Sequence, residues 1–339
     1  MELLEDISSG REAAGAAEDA SDVRAYEHRF GRYLLWTTIF LLGMYSVPFY
    51  MVRRADFDEM SNTPYSMPLN SSFEMAGQNA DVVLFGDSTV LHGIDPSQMS
   101  RELGVKAINL PNTGATLRVM GDLSLQRYLA ANRPPRLIVF YFAPWDMDYL
   151  HTELPIGTYE GREVLAHRGT GAEIFDYAWE HPAESLEFPF QFYMANSSWR
   201  AVVQRPYRYA AAEIARTQGH LSNPALTPLP QPCEFWPSAT HGLRFDSVKA
   251  LGAKYGTAET KILYFVAPIP ACRNASLLAN QSYGLLPAAP PKELPLSIFS
   301  GSVMYLHPKP DQVPMVTEQL VDAVRPLLGP AKPLNGKDR

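Results

Sequence analysis

The stretch 81–93, with the sequence DVVLFGDSTVLHG, constrains the fold more than any other part of the chain. Its uninterrupted apolar run, VVLF, passes directly into Gly86, Asp87 and Ser88. Such a run is typical of a strand buried on both faces in a parallel sheet, and the residues after it indicate a tight turn. Ser88 is therefore expected at the carboxyl end of a strand, where open α/β sheets bind ligands. In the simpler alternative, Ser88 only caps the helix that follows.

Strand-like and helix-like segments alternate on both sides of a long central region. The predicted strands are 82–85, 106–110, 136–142 and 261–266, with a last strand signal within 296–306. The predicted helices are 96–103, 117–131, 245–255 and 313–328. This order predicts an α/β fold with a parallel sheet and right-handed crossovers. Between about 148 and 240 the alternation disappears, and we interpret this region as an insertion, with one helix near 207–217, that covers or lines the site.

Residues 33–52, YLLWTTIFLLGMYSVPFYMV, form an apolar stretch of about twenty residues without a charge, enough for a helix to cross ~30 Å of hydrocarbon. Trp36, Tyr45 and Tyr50 are of the type that favours membrane interfaces. A cleaved signal peptide fits less well because no small-x-small cleavage site follows the stretch. The stretch therefore predicts one transmembrane helix, and a buried helix of a soluble domain is the remaining alternative.

The predicted span divides the chain into parts of different character. These parts are a disordered cytoplasmic tail (1–32), the transmembrane helix (33–52), a polar linker (53–77), an α/β domain (78–328) and a polar tail (329–339). Arginines flank the span on both sides, so the positive-inside bias toward a cytoplasmic N-terminus is slight.

The 2 cysteines, Cys233 and Cys272, both lie in proline-rich segments, PQPCEFWP and PIPACRN. On the outer side of a membrane such a pair can be oxidised, provided that the two Cα atoms approach within about 7 Å. The alternative is two unrelated thiols.

Charge and motif content exclude several classes of function. A net charge of −7 and the lack of a basic stripe argue against a nucleic-acid partner. The histidines of the insertion lack a ligand-like spacing and no phosphate-binding glycine loop occurs, so neither a metal nor a cofactor is predicted. The aromatic residues of the insertion either stack on sugar rings or, in the favoured interpretation, pack the insertion on the sheet. They include Trp179, Phe190, Phe192, Tyr193 and Trp199.

Three motifs occur in a characteristic order: FGDST after the first strand, NLPNTGAT after the second, and a histidine before the last helix. This combination resembles the SGNH/GDSL hydrolase superfamily over residues 80–146 and 245–328. With the span, FGDSTVLHGIDP is similar to the membrane-anchored, extracytoplasmic branch associated with acyl-group chemistry on cell-surface polysaccharides. The resemblance implies a three-layer α/β/α fold with a parallel sheet.

The same resemblance implies a place and partners for the chain. It implies a bacterial inner or cytoplasmic membrane, with the C-terminal domain on the periplasmic or extracellular side. The implied substrate is a polysaccharide or acylated glycan, and a membrane acyl-donor protein is a further candidate partner.

Roles for individual residues also follow from the resemblance. Ser88 would be the nucleophile, and its backbone N–H would contribute to the oxyanion hole. Gly114 would supply the second oxyanion donor, since glycine lets the backbone approach a substrate oxygen closely. His307 would be the general base, because a serine hydroxyl is a weak nucleophile until an imidazole takes its proton. Asp87 would order the turn, and without the resemblance His307 would be a loop or capping residue.

The chain departs from the family pattern at two positions. After the central strand the family has Gly-x-Asn-Asp, whereas this chain has APWD, so Trp145 replaces the asparagine that would donate to the oxyanion. Three residues before the histidine the family has an aspartate, and this chain has Met304. Losing such an oxyanion donor typically costs ~10²–10³ in rate, and losing a triad aspartate costs on the order of 10⁴.

Three interpretations remain open after these departures. In the first, another acid orients His307; the candidates are Asp311, Asp146 and Asp148. In the second, the enzyme works as a Ser–His dyad. In the third, the fold is kept without catalysis in a polysaccharide-binding or assembly component. His92, one helical turn after Ser88, is a further candidate base, although a surface role is favoured for it. The preferred prediction is ester hydrolysis or O-acyl transfer on a cell-surface polysaccharide.

Overall fold

A computed structural model of the chain describes residues 2–54, 66–149, 158–196, 208–222, 231–236, 244–280, 288–289, 291–301 and 306–329. The chain divides into an N-terminal unit, Met1–Met51, and a larger unit, Val52–Arg339.

A single long helix, α1 (Glu2–Val52), accounts for the N-terminal unit. Its segment Tyr26–Val52 is long and apolar enough to cross a membrane. Large apolar side chains such as Trp36 and Phe40 are exposed along it, as lipid-facing side chains would be. The prediction of a disordered tail over 1–32 is wrong at the level of secondary structure, because the helix begins at Glu2. Alanine and glutamate, frequent in this stretch, both have high helix propensity.

The larger unit is built on a parallel sheet. Its long strands are β1 (Val82–Gly86), β2 (Ala107–Pro111), β3 (Leu137–Phe142) and β4 (Lys261–Val266), in agreement with the sequence prediction. They are hydrogen-bonded in the order β2-β1-β3-β4. The register places Gly86 between Pro111 and Tyr141, so the carboxyl ends of the central strands meet at one edge of the sheet.

Three two-residue strands follow β4. They are β5 (Ile269–Pro270), β6 (Ala288–Ala289) and β7 (Glu293–Leu294). β6 pairs with β4 and extends the sheet, whereas β5 and β7 pair with each other. The last strand predicted within 296–306 is wrong for the described residues. Leu296–Ile298 forms a 3₁₀ turn, Phe299 makes only an isolated bridge to Pro308, and 302–305 lie outside the described residues.

Short helices surround the sheet. They are α2 (Ser66–Phe73), α3 (Ser88–Gly93), α4 (Pro96–Leu103), α5 (Gly114–Met120), α6 (Leu123–Ala131), α7 (Thr158–Arg168), α8 (Gly171–Glu180), α9 (Pro182–Asn196), α10 (Arg208–Arg216), α11 (Asp246–Tyr255), α12 (Ala275–Ala279) and α13 (Val313–Leu328). The helix predicted over 117–131 is divided into α5 and α6, because Gly121 between them adopts φ 52°.

Alternate side chains of the strands enter two separate apolar clusters. Val83 and Phe85 of β1 pack with residues of α5, α6 and α11. Val82 and Leu84 pack with residues of α4 and α13. Because both faces of the sheet are covered, the strands are apolar at every position.

Two other regions differ in detail from the sequence prediction. The predicted linker, 53–77, contains the helix α2, whose residues from Ser66 to Ser72 are all buried. Its hydroxyl groups are satisfied inside the protein, since Ser72 Oγ donates to the carbonyl oxygen of Pro111 at 2.6 Å. The insertion contains the helices α7 to α10, and the helix expected near 207–217 corresponds to α10.

The disulfide between Cys233 and Cys272 is confirmed, with Cα atoms 5.0 Å apart. It ties residues 231–236 to the segment after β5. Asn274 reinforces the link, because its side chain accepts from the N–H of Phe235 at 2.8 Å and donates to the carbonyl oxygen of Phe235 at 2.9 Å. This part of the insertion is therefore fixed to the carboxyl end of the sheet.

Candidate active site

The turn between β1 and α3 presents Ser88. A Cβ atom at Gly86 would lie 1.7 Å from the carbonyl oxygen of Tyr141, so only glycine allows β1 and β3 to approach here. Asp87 Oδ1 accepts from the N–H of Thr89 at 2.7 Å, and Asp87 Oδ2 accepts from the N–H of Ala143 at 2.8 Å. Asp87 thus caps α3 and ties it to the end of β3, which leaves Ser88 as the first residue of the helix.

His307 reaches Ser88 from the far end of the chain. The distance between His307 Nε2 and Ser88 Oγ is 2.9 Å, which is a hydrogen bond. The backbone around His307 is held before α13 begins, since the carbonyl oxygen of His307 accepts from the N–H of Ser300 at 2.9 Å. The structure therefore brings together the two residues for which the sequence indicated a nucleophile and a base.

The protonation state of His307 follows from its surroundings. Burial, followed by the neighbouring His92, lowers the pKa of His307 well below its usual value. The imidazole is accordingly neutral near pH 7. A neutral imidazole whose Nε2 faces a hydroxyl group can accept its proton.

His92 lies beside His307, and the expected surface role is wrong. The two ring centroids are 4.6 Å apart. His92 Nδ1 lies 2.9 Å from the carbonyl oxygen of Leu221, which assigns the ring proton to Nδ1. Burial lowers the pKa of His92 to about 4. The hydrogen bond to Leu221 holds the His92 ring against the candidate base.

A segment of the insertion, residues 218–222, closes this side of the site. The N–H of Asn109 in β2 donates to the carbonyl oxygen of Gln218 at 2.9 Å, and the N–H of Leu221 donates to that of Leu91 at 3.0 Å. Gly219 fits against Asn109 with φ +106°, a conformation that favours glycine. The expectation that the insertion lines the site holds for this described segment.

His220, in the same segment, was missed by sequence reasoning. Burial is the main cause that lowers the pKa of His220, and this residue in turn acts on His92. His220 has no ligand-like spacing to another histidine, and only the return of the chain to β2 brings it here. No signal in the sequence could have identified it.

Gly114, the expected oxyanion donor, is the first residue of α5 and lies against Asp146. A Cβ atom at position 114 would be 2.4 Å from Asp146 Oδ2. Trp145 instead packs with the disulfide and with Phe235, at 5.6 Å between ring centroids. The residue that replaces the family's asparagine thus leaves the site, and the carboxyl group of the next residue stands beside Gly114.

The Asp146 carboxyl group is only 5% exposed. Its Oδ1 atom has no hydrogen-bond partner among the described residues. Burial, and then the charge of Asp87 and a hydrogen bond to it, raise the pKa of Asp146 well above its usual value. Two neighbouring carboxyl groups cannot both ionise cheaply, so protonation of Asp146 is favoured, and its proton is directed to Asp87.

The other two acids proposed to orient His307 lie elsewhere. Asp148 Oδ1 accepts from the N–H of Ser247 at the start of α11, at 3.2 Å, and Asp148 Oδ2 lies 3.5 Å from Nε of Arg244. Asp311 is exposed and accepts from the side chain of Gln312. None of these contacts involves His307. Met304, where the family has an aspartate, lies outside the described residues.

Among the described residues, no group of three or more histidine, cysteine, aspartate or glutamate side chains could hold a metal ion. The arrangement is that of a Ser–His pair at the carboxyl edge of a parallel sheet, with a buried carboxyl group beside the neighbouring helix start. Comparisons with models of protein families, with curated proteins and with solved structures find no match to this chain.

Proposed function

We propose that the chain is a membrane-anchored serine esterase or O-acyltransferase that acts on acyl esters of a cell-surface polysaccharide. The observation that carries this proposal is the 2.9 Å contact between His307 Nε2 and Ser88 Oγ. The polysaccharide as substrate class rests on the motif resemblance alone. A three-layer α/β/α domain of the SGNH type is part of the proposal.

In the proposed reaction, Ser88 Oγ attacks the acyl carbonyl carbon while His307 Nε2 takes the hydroxyl proton. The bond from the carbonyl carbon to the leaving oxygen then breaks, and His307 returns the proton to that oxygen. Water or a sugar hydroxyl group next attacks the acyl-Ser88 ester and gives its proton to His307. The bond from the carbonyl carbon to Ser88 Oγ then breaks, and His307 returns the proton to Ser88 Oγ. The first acceptor gives hydrolysis and the second gives acyl transfer.

Stabilisation of the oxyanion is assigned to the backbone N–H groups of Ser88 and Gly114, and the side chain of Asp146 packs against Gly114. A protonated carboxyl group has one O–H, and that of Asp146 is directed to Asp87, so it is not also available to an oxyanion. Asp146 therefore supports the Gly114 side of the site and does not replace the donor that the family's asparagine would supply. We assign Asp146 to this side of the site, and not to the orientation of His307, because it contacts Gly114 and Asp87.

Two observations support a place outside the cytoplasm. The segment Tyr26–Val52 is long and apolar enough to anchor the chain. The Cys233–Cys272 disulfide fits an oxidising compartment. We therefore propose that the larger unit faces the periplasm or the cell exterior of a bacterium.

The test uses full-length protein in membranes and a fluorophosphonate probe, which labels activated serines. We expect labelling of the wild type, its loss in Ser88→Ala and His307→Gln, and normal labelling of Ser97→Ala, a serine in the next helix. In cells, Ser88→Ala should abolish the removal or transfer of acyl groups on the polysaccharide that the wild type carries out. Absence of labelling together with unchanged acylation in Ser88→Ala overturns the proposal and favours the non-catalytic polysaccharide-binding role.

A further inference from the structure

The hairpin formed by α8 and α9 carries an apolar surface that faces outward. Phe175 and Trp179 of α8 and Leu186 and Phe190 of α9 are 64%, 78%, 64% and 61% exposed. We call these four residues the aromatic face. Each helix thus exposes two large apolar side chains one turn apart, and exposed apolar patches mark interaction surfaces.

The aromatic face is presented by a packed scaffold. Residues i and i+4 share one side of a helix, so each pair projects together, and the Phe175 and Trp179 rings are stacked at 6.3 Å. The opposite side of α9 is buried through Phe188 and Phe192. Tyr177 Oη donates to Glu184 Oε2 at 2.7 Å and joins the two helices. The four exposed side chains are therefore carried by two helices that are themselves packed in the fold.

The hairpin begins where the chain leaves its apolar span. Arg53, which follows the span, donates from Nη2 to the carbonyl oxygen of Gly169 at 2.8 Å. The side chain of His167 contacts the carbonyl oxygen of Val52. From Gly169, Phe175 and Trp179 follow within about 9 and 15 Å of chain at ~1.5 Å per helical residue. The aromatic face thus starts within about 15 Å of chain from Gly169, which contacts the residue that follows the span.

Charge on the hairpin gives no attraction to anionic lipid. Residues 171–196 contain no lysine or arginine. Two of their acids are paired within the protein, Glu173 with Arg127 and Glu184 with Arg162, both at 2.7 Å. Exposed acids such as Asp176 and Glu180 flank the apolar side chains. Contact with a membrane would therefore depend on burial of apolar surface, with aromatic side chains at the interface.

We propose that the aromatic face rests in the headgroup boundary of the same bilayer that holds the span, and so fixes the orientation of the larger unit on the membrane. A bilayer is the occupant that fits, because the chain enters the larger unit directly from its apolar span, at Val52 and Arg53. At the effective concentration that such a tether gives, even a weak apolar contact is occupied. The inference does not depend on the proposed catalytic activity.

The test places a spin label on full-length protein in phosphatidylcholine nanodiscs. The native cysteines are joined in the disulfide, so Phe175→Cys, Leu186→Cys or Phe190→Cys each introduces a single labelling site. We expect severalfold lower collision with a water-soluble nickel complex, and higher collision with oxygen, than for Glu318→Cys, an exposed site on α13. Adding anionic phosphatidylglycerol should not deepen the labels.

A second variant separates lipid contact from packing within the protein. With the label at Phe190→Cys, the further changes Phe175→Ser, Trp179→Ser and Leu186→Ser should return nickel collision to the level of Glu318→Cys while the span stays in the disc. Labels as water-accessible as the control overturn the proposal. Low nickel collision that persists in this variant also overturns the proposal. Low nickel collision that appears only when two copies share a disc overturns it in favour of self-association.

Discussion

The imidazole of His92 lies against that of His307, with ring centroids 4.6 Å apart and the ring planes inclined by 50°. Burial opposes a positive charge on both rings; in addition, charge on His220 disfavours protonation of His92, and charge on His92 disfavours protonation of His307. The pKa of His92 is therefore lowered to about 4, and the pKa of His307 lies well below its usual value. His307 stays available as a base into mildly acidic solution.

Replacing His92 by asparagine should move the acid limb of kcat/KM to higher pH. Asparagine keeps a donor for the carbonyl oxygen of Leu221 but removes the titrating ring. Because charge on His92 lowers the pKa of His307, its removal raises that pKa, and activity is lost at a less acidic pH. A pH profile with a chromogenic acyl ester measures the shift. His181→Asn, in the insertion, is the control, and an unmoved limb in His92→Asn contradicts the prediction.

Replacing Asp146 by asparagine should stabilise the protein at pH 7. The folded state raises the pKa of Asp146 above 3.8. It therefore holds a proton that the unfolded chain has lost, and stability falls as pH rises from 3.8 through the folded pKa. Asparagine removes this cost, about 1.4 kcal/mol for each unit of pKa elevation, and still donates to Asp87.

The measurement for Asp146→Asn is denaturant unfolding at pH 4 and pH 7. The gain in unfolding free energy should be present at pH 7 and nearly absent at pH 4, and Asp311→Asn, an exposed acid, should change neither. Labelling by the fluorophosphonate probe should survive in Asp146→Asn, whereas Asp146→Ala, which removes the side chain that packs against Gly114, should slow labelling. A less stable Asp146→Asn protein at pH 7 would show that the carboxyl group is ionised.

Gly86→Ala should prevent folding. The added Cβ would lie 1.7 Å from the Tyr141 carbonyl oxygen, which belongs to the neighbouring strand and cannot move without breaking the pairing of β1 with β3. Gly104→Ala is the matched control. Gly104 has φ 65° but no atom of the described residues within 4 Å of the added Cβ, so we expect a loss of about 1 kcal/mol from backbone strain alone. Soluble yield and thermal unfolding compare the two, and equal effects would contradict the steric argument.

The long strands and the position of Ser88 follow from local sequence, because strands buried on both faces must be apolar at every position. The outer strand Ala288–Ala289 has no such signal, since two alanines carry no period. The contact between His92 and His307 joins α3 to the segment before α13. His220 comes close to His92 only because residues 218–222 return to β2. These contacts join distant parts of the chain, and no local pattern encodes them.

The orientations of Trp145 and Asp146 could not be predicted from the local sequence either. Alignment with the family pattern puts Trp145 at the oxyanion side. The 3₁₀ turn Pro144–Asp146 rotates successive side chains by about 120°, so that Trp145 enters the disulfide cluster and Asp146 faces Gly114. Which of two neighbouring residues faces a site is decided by the backbone of the turn, which the sequence alone did not predict.

Removing the disulfide with Cys233→Ser and Cys272→Ser together should lower the unfolding free energy. Cross-linking residues separated by 39 positions restricts the unfolded chain, and the chain-entropy model gives about 4 kcal/mol for a loop of this size. The effect should reach the site, because Trp145 packs on this cluster and precedes Asp146. Probe labelling of Ser88 should therefore slow in the double variant. Denaturant unfolding measures the first effect, wild type treated with reductant should reproduce both, and unchanged labelling would show that the Trp145 contact does not position Asp146.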